Sequence, residues 1–482
     1  MTSPDQTPVR PAGGIELNGL DTIQESERHG RPRDLFWPWF AANVSVLGLS
    51  YGAFLLDFGL SFAQATAVAV IGIVVSFLFC GFVAVAGKRG SAPTMVLSRA
   101  SFGVNGNRLV SVISWLLTVG WETVLASLAV LATATVFEEF GWDGGVLTKV
   151  VALIVVAALI VIAGVAGFRL IMRLQLAITV ATGVLTVVYV ALVLDDIDLG
   201  AVASLPSGSA GAVIGGLVFM MTGFGLGWVN AAADYSRYLP RTAGTGGVIA
   251  WTTLGGAVAP VVLVVVGLLL AGSSQELSDA IAADPIGALA TILPTWFLLP
   301  FIVVALLGLI GGAVMDIYSS GLALLSTGLK VSRPVAAGID GVLMVLGAIY
   351  VVFVAGDFLG PFQGFLITLG VPIAAWLGVF LADLLLRRRD YDQEALYDAR
   401  GRYGSVSIAP VLLVVIGSVI GWGLVVNSSP GFGWEGYLLG PIGGREGEWA
   451  YANLGVLAAL VIGFVGALVS SSASVRRQES RA

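Results

Sequence analysis

The stretch GFGLGWVNAAADYSRYLPR, residues 223–241, closes a long apolar run and places Gly223, Gly225 and Gly227 at alternate positions. A glycine inside a helix costs about 1 kcal/mol relative to alanine, so this run predicts a broken helix. In a membrane, unwound backbone is stable only where protein or a water-filled cavity satisfies its polar groups. The stretch therefore predicts a helix break beside a cavity, with close helix packing through the glycines as the alternative.

The composition of the whole chain is that of an integral membrane protein. Of its 482 residues, 57% are hydrophobic and 11% are charged, whereas soluble proteins keep about a quarter of their residues charged. Its mean hydropathy is +0.94. Long runs of Val, Leu, Ala, Ile and Gly approach or exceed the ~20 residues that a helix needs to cross a bilayer. These features predict a chain that spans the membrane many times.

Twelve apolar runs are candidates for membrane-spanning helices. They lie at about 36–58, 62–86, 108–135, 147–166, 174–194, 211–231, 247–271, 298–326, 335–355, 358–382, 405–426 and 450–470. With the N-terminus in the cytoplasm, every Lys and Arg except Lys149 and Arg445 falls on the cytoplasmic side, where membrane proteins concentrate these residues. We therefore predict an all-α integral membrane protein with twelve transmembrane helices and both termini in the cytoplasm.

The first span, like the sixth, contains an interruption. It reads NVSVLGLSYGAF at residues 43–54, with Gly48 and Gly52 near its middle. Breaks in spans one and six occupy corresponding positions of two five-helix halves, which is typical of transporters built from inverted repeats with a binding site at the breaks. Close helix packing is again the alternative.

These spans divide the chain into parts. They are a polar cytoplasmic tail at 1–35, a ten-helix core at 36–382 with halves at about 36–194 and 211–382, a cytoplasmic loop at 383–404, two peripheral helices at 405–470 and a C-terminal tail at 471–482. The first part has no apolar core, so it does not resemble a signal peptide.

Several chemistries are disfavoured by residue usage. The chain has one cysteine, Cys80, and one histidine, His29, whereas most metal, haem and His-based catalytic sites need clusters of these residues. The motif GFGWEG at 431–436 satisfies G-x-G-x-x-G but lies in a loop between spans, without the strand and helix that a dinucleotide site requires. We predict no catalytic residue, no metal site, no cofactor and no nucleic-acid partner.

Several motifs together resemble the nucleobase–cation symporter family, in its purine–cytosine permease group. In that group a glycine-rich break and a Trp precede Asp-Tyr-x-Arg-Tyr-Leu-Pro, as they do at residues 223–240. Further similar segments are GIELNGLDTIQESERHGRPRDLFWPWFAANVSV (14–46), TMVLSRASFG (94–103), VGWE (119–122) and DIYSSGLALLSTGL (316–329). The resemblance implies a LeuT-type fold, with ten core helices in a five-plus-five inverted repeat and two extra C-terminal helices.

The resemblance also implies a substrate site. In the family a nucleobase-like ring lies between two Trp side chains, which match Trp121 and Trp228 here, and Gly225 and Gly227 belong to the adjoining break. Asp316 stands where the family usually has an Asn that hydrogen-bonds the ring. A carboxylate only accepts hydrogen bonds, so Asp316 favours a ligand edge rich in N–H donors, such as an aminopyrimidine or aminopurine. Plain packing of both Trp side chains is the alternative.

The sequence departs from the family at two further polar positions. Leu125 replaces an Asn or Gln one turn after the third-span Trp, and Gly312 and Ala313 stand where relatives carry Asn. These departures leave open which heterocycle the site accepts.

Two acids, Glu122 and Asp316, lie near the middle of the third and eighth spans. Each costs about 2.5–3.5 kcal/mol to insert, and no Lys or Arg lies within a span to neutralise it. Each must therefore be protonated, hydrated or partnered by a ligand or cation. Sodium-coupled relatives use eighth-span hydroxyls that fall here at about Ile310 and Gly311, which offer no side-chain oxygen to a cation.

We therefore predict a secondary active transporter in the plasma membrane and not an enzyme. It would import a nucleobase or related flat heterocycle by proton symport, with Glu122 and Asp316 as candidate proton carriers. A protonated carboxyl that merely bonds the backbone is the alternative role for either acid. Sodium coupling or an amino-acid-type carrier on the same fold is the main alternative function, ahead of a channel or a membrane enzyme.

Overall fold

The structure, a computed structural model, describes residues 19–166, 168–355 and 357–480, with all side chains in these ranges except those of residues 166–176. Parts of the predicted terminal tails, residues 1–18 and 481–482, lie outside these ranges. Over the described residues the secondary structure is helical, without a β-strand. The all-α prediction is confirmed.

The α-helices are numbered in chain order. They are α1 (Phe36–Asn43), α2 (Leu47–Leu56), α3 (Phe62–Gly90), α4 (Thr94–Leu97), α5 (Arg99–Phe102), α6 (Asn107–Glu139), α7 (Val146–Ala166), α8 (Phe168–Leu192), α9 (Leu199–Ala203), α10 (Ala210–Gly223), α11 (Gly225–Trp228), α12 (Ala232–Ser236), α13 (Thr245–Ser273), α14 (Gln275–Ala283), α15 (Gly287–Ala290), α16 (Thr295–Ser326), α17 (Arg333–Phe353), α18 (Leu359–Leu386), α19 (Ile408–Gly423) and α20 (Leu454–Ser480).

Apolar helices occupy the positions of all twelve predicted spans. Within the described ranges, nine helices are long and apolar enough to cross a membrane, and the bent pair Pro32–Asn43 and Leu47–Leu56 makes a tenth. Two shorter apolar helices, Ala177–Leu192 and Ile408–Gly423, lie at the predicted fifth and eleventh spans. The chain is a multi-pass membrane protein.

The first span is broken, but not at its glycines. The two segments on either side of residues 44–46 meet at 66°, and Val44 leaves the helical region with φ −83° and ψ 78°. The Asn43 amide donates to the Trp39 carbonyl at 2.8 Å and closes the end of α1. The predicted break is therefore confirmed and its expected position at Gly48 and Gly52 is wrong, because helix α2 continues through both glycines.

These two glycines serve helix packing instead. A β-carbon on Gly48 would lie 2.9 Å from the Leu263 side chain, and one on Gly52 would collide with the Gly267 backbone. Both contacts are made with α13. The packing alternative describes Gly48 and Gly52 correctly.

The sixth span is broken where its glycine run predicts. Helix α10 ends at Gly223, and Phe224 has φ −119° and ψ −108°, outside the helical region. The Gly225 amide donates to the Ser76 hydroxyl at 3.1 Å, and the Gly225 carbonyl accepts from the Cys80 thiol at 3.1 Å. Side chains of α3 therefore satisfy the unwound backbone, as a break at membrane depth requires.

The basic connections meet on one side of the molecule, called here the basic face. Arg28 donates to the Lys88 carbonyl at 2.7 Å, Arg387 donates to Gln478 at 2.9 Å, and Tyr397 donates to the Leu20 carbonyl. The face comprises residues 19–35, 87–108, 234–245, 327–333, 387–407 and 476–480. Both ends of the described chain therefore lie on the same side.

The two C-terminal helices pack on the outside of α18. Helix α20 runs along both α18 and α19. Small residues allow the close approach, since a β-carbon on Gly463 would collide with the Ala375 carbonyl of α18. This arrangement leaves α1 to α18 to form the cavity described next.

Candidate functional site

A small cavity is enclosed by four elements: the breaks in the first and sixth spans, helix α6 and helix α16. Its volume is about 50 Å³, which holds a few water molecules but not a flat heterocycle. A ring can enter only if side chains around the cavity move. The walls include Asn43 and Ser45 from the first-span break, Phe224 and Trp228 from the sixth-span break, Trp121 and Leu125 from α6, and Gly312 and Asp316 from α16.

The two predicted Trp side chains line this cavity together. Trp228 meets Trp39 edge to face, with ring centroids 5.9 Å apart and planes at 88°. Trp121 meets Phe362 at 5.7 Å and 75° in the same manner. Such contacts fix the orientation of each indole ring. The Trp121 indole N–H has no hydrogen-bond partner among the described residues, so it can donate to a ligand.

The two glycines predicted for the site have different surroundings. A β-carbon on Gly227 would lie 2.8 Å from the Trp121 indole nitrogen, so Gly227 packs against this cavity residue, although Gly227 itself is not part of the cavity lining. Gly225 faces α3, where Ser76 and Cys80 already occupy its amide and carbonyl. Gly225 is not part of the cavity lining. It holds the break in place, and its backbone groups are not free for a ligand.

Asp316 lines the cavity with an unpaired carboxyl group. Its side chain is 1% exposed, and neither oxygen has a hydrogen-bond partner in the described part of the chain. One turn earlier, a β-carbon on Gly312 would lie 2.9 Å from the Leu125 side chain. The two departures from the family pattern therefore adjoin each other, and Leu125 fills the space beside Gly312. The cavity combines one carboxyl group with an apolar wall.

Glu122 is buried but does not line the cavity. Its side chain is fully buried, and both of its oxygens lack a hydrogen-bond partner among the residues described. Its electrostatic neighbours are Asp316, Ser320 and Asp340. Of the two predicted proton carriers, only Asp316 can contact a bound solute directly.

Asp340 is a third buried acid that the sequence analysis did not consider. It lies in α17, fully buried, and accepts from the Trp115 indole N–H at 2.7 Å and from the Ser320 hydroxyl at 2.8 Å. The signal was present in the sequence, because Asp340 falls inside the predicted ninth span. Like Glu122 and Asp316, an acid at this position is costly to insert into the membrane and must be protonated, hydrated or partnered.

An aromatic layer separates the cavity from the side opposite the basic face. The Tyr51 ring lies 4.5 Å from Phe224 and 6.0 Å from Phe362, and the Tyr51 hydroxyl donates to the Gly223 carbonyl at 3.0 Å. Beyond this layer a cleft of about 530 Å³ is lined by residues that include Asp57 and Gln363.

Hydrogen bonds connect several helices between the cavity and the basic face. Asp234 accepts from the Thr94 amide at 2.7 Å and from the Thr94 hydroxyl at 2.8 Å. The Arg237 guanidinium group donates to the Tyr318 hydroxyl at 2.8 Å.

Comparison with known sequences identifies relatives over most of the chain. Residues 22–438 match the family model for permeases for cytosine/purines, uracil, thiamine and allantoin. YxlA of Bacillus subtilis, which carries a purine-cytosine permease name, is 24% identical over 414 residues, covering 83% of this chain and 86% of YxlA. The purine-cytosine permease FCY2 of Saccharomyces cerevisiae is 25% identical over 240 residues, covering 47% of this chain and 42% of FCY2.

Solved structures show the same fold. Mhp1, a nucleobase-cation-symport-1 family transporter, in a closed conformation with bromovinylhydantoin bound, superposes with a TM-score of 0.68 at 18% identity, covering 97% of this chain and 100% of Mhp1. A manganese transporter of Eremococcus coleocola gives a TM-score of 0.53 at 14% identity, covering 96% and 99% of the two chains. These likenesses confirm the LeuT-type fold. Because the family model matches from residue 22 to residue 438, this chain is a transporter of the family of permeases for cytosine, purines, uracil, thiamine and allantoin.

Proposed function

We propose that this chain imports an amino-bearing nucleobase or a related flat heterocycle by proton symport, with alternating access around the cavity. The observation that carries the proposal is that Trp121, Trp228 and the unpaired Asp316 carboxyl group border one buried cavity at two helix breaks. Stacking of a base on an aromatic ring contributes about 1–3 kcal/mol. The Trp side chains would supply affinity, and the polar groups would select the ligand edge.

The polar groups favour a ligand edge with both an acceptor and donors. The Trp121 indole N–H can only donate, and an ionised Asp316 can only accept. The amidine-like edge of an aminopyrimidine or aminopurine offers a ring nitrogen beside an amino group and suits this pair. YxlA and FCY2 are named as purine-cytosine permeases, and purines and cytosine belong to this chemical class.

Proton coupling is favoured by the chemistry of α16. Gly308 and Gly312 form its wall near the first-span break and offer no side-chain oxygen to a sodium ion, which leaves the Ser45 hydroxyl beside Gly308 as a side-chain oxygen at this place. A hard cation prefers several oxygen ligands. The buried Glu122 carboxyl group, which has no basic partner in the described ion pairs, can instead bind the proton while an ionised Asp316 accepts from the substrate.

The test is uptake of labelled cytosine into proteoliposomes of the full chain, with a proton gradient or a sodium gradient imposed in separate runs. Unlabelled adenine, guanine, uracil, hydantoin and allantoin serve as competitors. We expect saturable uptake that follows the proton gradient and is competed by amino-bearing rings. Uptake that follows a sodium gradient at equal pH would refute proton coupling. Absence of uptake and of competition would refute the substrate class.

We further propose that the basic face lies in the cytoplasm and that the protein resides in the plasma membrane. The concentration of Lys and Arg in the connections of this face supports the orientation, since such residues accumulate on the cytoplasmic side. The cleft beyond the aromatic layer then opens outward. Substrate would enter through that cleft and leave through the basic face.

A further inference from the structure

Three buried acids lie close together on helices α6, α16 and α17. Asp316 borders the cavity, Glu122 lies within electrostatic reach of Asp316 and Asp340, and all three side chains are at most 1% exposed. None of them takes part in the ion pairs of the described residues. Both oxygens of Glu122 and of Asp316 are unpaired in that same part of the chain. Ionised carboxylates in this setting are expensive, so the group is built to hold protons.

The Ser320 hydroxyl connects two of these acids. It follows Asp316 by one turn of α16 and therefore lies on the same helix face. It donates to Asp340 at 2.8 Å and lies beside the Glu122 carboxyl group. A serine hydroxyl carries one proton and two lone pairs. It can accept a proton from Glu122 while it passes its own proton to Asp340.

Asp340 lies on the side of this group that is nearer the basic face. It lies seven positions after Arg333, which starts α17, and this corresponds to a rise of about 10 Å along the helix. Arg333 belongs to the basic face and covers the Tyr318 ring at 4.6 Å. A proton on Asp340 is thus about two helical turns from that face.

The surroundings of Asp340 include few titratable groups. From α6 it faces Trp115, which donates to it, and Glu122. From α16 it faces Ser320. From α7, over the described side chains, the contact beside it at Gly341 is the apolar Val161. Its own helix adds Arg333 two turns away.

We infer that Asp340 is the release site of the coupling proton, which it receives from Glu122 through the Ser320 hydroxyl. In this step the Glu122 carboxyl group, unpaired among the described residues in this conformation, forms a hydrogen bond to the Ser320 oxygen and gives its proton to it, the Ser320 hydroxyl proton moves to Asp340, and Asp340 later releases a proton toward the basic face. The inference rests on the proposed proton symport. According to this inference, the empty carrier can return only after Asp340 has released its proton. Asp340 itself does not touch the substrate.

The test compares two transport modes in proteoliposomes of the full chain. Proton-driven accumulation of labelled cytosine requires the proton to be released, whereas counterflow at equal pH exchanges substrate with the proton still bound. We expect Asp340→Asn to reduce accumulation at least tenfold and to keep counterflow within twofold. Asp340→Glu should restore accumulation, with a displaced pH profile. Trp115→Phe, which removes one hydrogen bond but leaves the carboxyl group, should also accumulate cytosine.

Ser320→Ala provides a second variant in case Asp340→Asn fails to fold. It leaves the Trp115 bond to Asp340 in place and should lower accumulation while sparing counterflow. Normal accumulation in both variants, or loss of counterflow together with accumulation in both, would overturn the inference while the proposed function stands. A wild type that accumulates cytosine only with sodium would overturn the proposed coupling itself, and the inference with it.

Discussion

Two polar groups that line the cavity have no hydrogen-bond partner among the described residues, the Trp121 indole N–H and the Asp316 carboxyl group. Buried polar groups are nearly always paired, so each unpaired one calls for an explanation. A bound heterocycle that accepts from Trp121 and donates to Asp316 would satisfy both. This pairing makes the site specific for the ligand edge, whereas stacking tolerates any flat ring.

Replacement of Asp316 tests the polar part of this recognition. We expect Asp316→Asn to weaken binding of cytosine by about 1.5–3 kcal/mol, roughly 10- to 150-fold, because it removes a hydrogen bond to a charged acceptor. Competition binding in detergent measures the affinity. Asp57→Asn, an acid on the opposite-side cleft, is the control and should bind normally. Equal affinity in Asp316→Asn and the wild type would contradict the assigned role.

Replacement of Trp228 tests the stacking part. We expect Trp228→Ala to lose about 1–3 kcal/mol of binding free energy, with most of it kept in Trp228→Phe, because any aromatic face can stack. Equilibrium binding of labelled cytosine gives the affinities. Trp296→Ala, at a side chain that is 65% exposed on the outer surface, serves as the matched control. A Trp228→Ala variant that binds like the control would show that this ring only packs.

The residues proposed to contact the ligand were easier to single out from the sequence than the residues that support them. Trp121, Trp228 and Asp316 could be named because the motifs around them are specific, and the fold brings them to one cavity. Gly225 was expected at the substrate but faces α3. A run of glycines indicates a helix break, but it does not indicate which neighbouring helix contacts the unwound backbone. Asp340 was overlooked although its position in a span was visible.

The break in the first span shows a different limit. Its existence was predictable, but the helix ends at Asn43, and three residues lie between this end and Leu47, where α2 begins. β-Branched Val44 and Val46 have lower helix propensity, and the Asn43 side chain satisfies the Trp39 carbonyl. These local signals are weaker than that of a glycine. The break was therefore predicted at Gly48 and Gly52, although it lies before them. Only the contact with α13 identifies them as packing residues.

Gly225 should be intolerant of any side chain. A β-carbon there would collide with the Ser76 and Phe77 backbone of α3, and backbone cannot rotate away as a side chain can. We expect Gly225→Ala to lower stability by about 1–3 kcal/mol, the usual cost of overpacking. Gly183→Ala in α8, where no described atom lies within 4 Å of the new β-carbon, should be neutral or stabilising. Thermal unfolding in detergent compares the two variants, and equal midpoints would contradict the steric argument.

The connection at residues 424–453 carries a pH-sensitive contact with α18. The Glu435 side chain is 1% exposed and accepts from the Thr368 hydroxyl at 2.9 Å. Burial raises the pKa of the Glu435 carboxyl group to about 7, from about 4.3 in an unfolded chain. Between these values the folded state binds the extra proton, so the stability from this group is complete below pH ~4.3 and is lost as the pH rises through about 7.

We therefore expect the connection at 424–453 to open more readily at pH 8 than at pH 5. Hydrogen exchange of its amides, corrected for the intrinsic effect of pH, measures the opening. Glu435→Gln should remove this pH dependence, because the amide does not ionise. Glu446→Gln, at an exposed position of the same connection, should keep it. Identical pH dependence in both variants would rule out Glu435 as the responsible group.

The cavity between the broken spans is too small for the ligand proposed here. Hydropathy predicted the spans, and the Lys and Arg distribution predicted that both termini share one face, because both depend on composition along the chain. The cavity volume of about 50 Å³ could not be predicted in this way. It depends on how α6, α16 and the broken spans are rotated against one another, which is set by contacts between distant residues.

If the cavity opens toward the basic face, as we propose, we expect ion pairs on that face to separate. Arg241 joins Glu25 at 2.6 Å and Asp390 at 3.4 Å, and Asp390 also joins Arg89 at 3.4 Å. These pairs connect the segment before α1, the end of α3, the turn after α12 and the connection after α18. Each exposed pair contributes only about 0–1 kcal/mol. Their loss should therefore shift the conformational equilibrium without unfolding the protein.

A cysteine at Ser319 would report this opening. Ser319 is 3% exposed and forms a hydrogen bond with the Tyr235 hydroxyl at 3.2 Å, beneath the basic face. The native Cys80 is fully buried, so the protein without the new cysteine gives the background labelling rate. We expect Asp390→Asn to raise the rate at which an impermeant thiol reagent labels Ser319→Cys by about two- to fivefold, which corresponds to 0.4–1 kcal/mol. Salt at 1 M should act similarly, because it screens exposed pairs.

The same labelling experiment tests the orientation of the molecule. In inside-out vesicles the reagent reaches the cytoplasmic side, so labelling should be faster there than in right-side-out vesicles if the basic face is cytoplasmic. Glu446→Gln, a charge change in the connection on the opposite side, should leave the rate unaltered in both preparations. An Asp390→Asn rate equal to that of the parent Ser319→Cys protein would mean that these pairs do not hold the cavity closed. Faster labelling from the other side would reverse the proposed topology, because the accessibility of one buried position follows the face that opens to it.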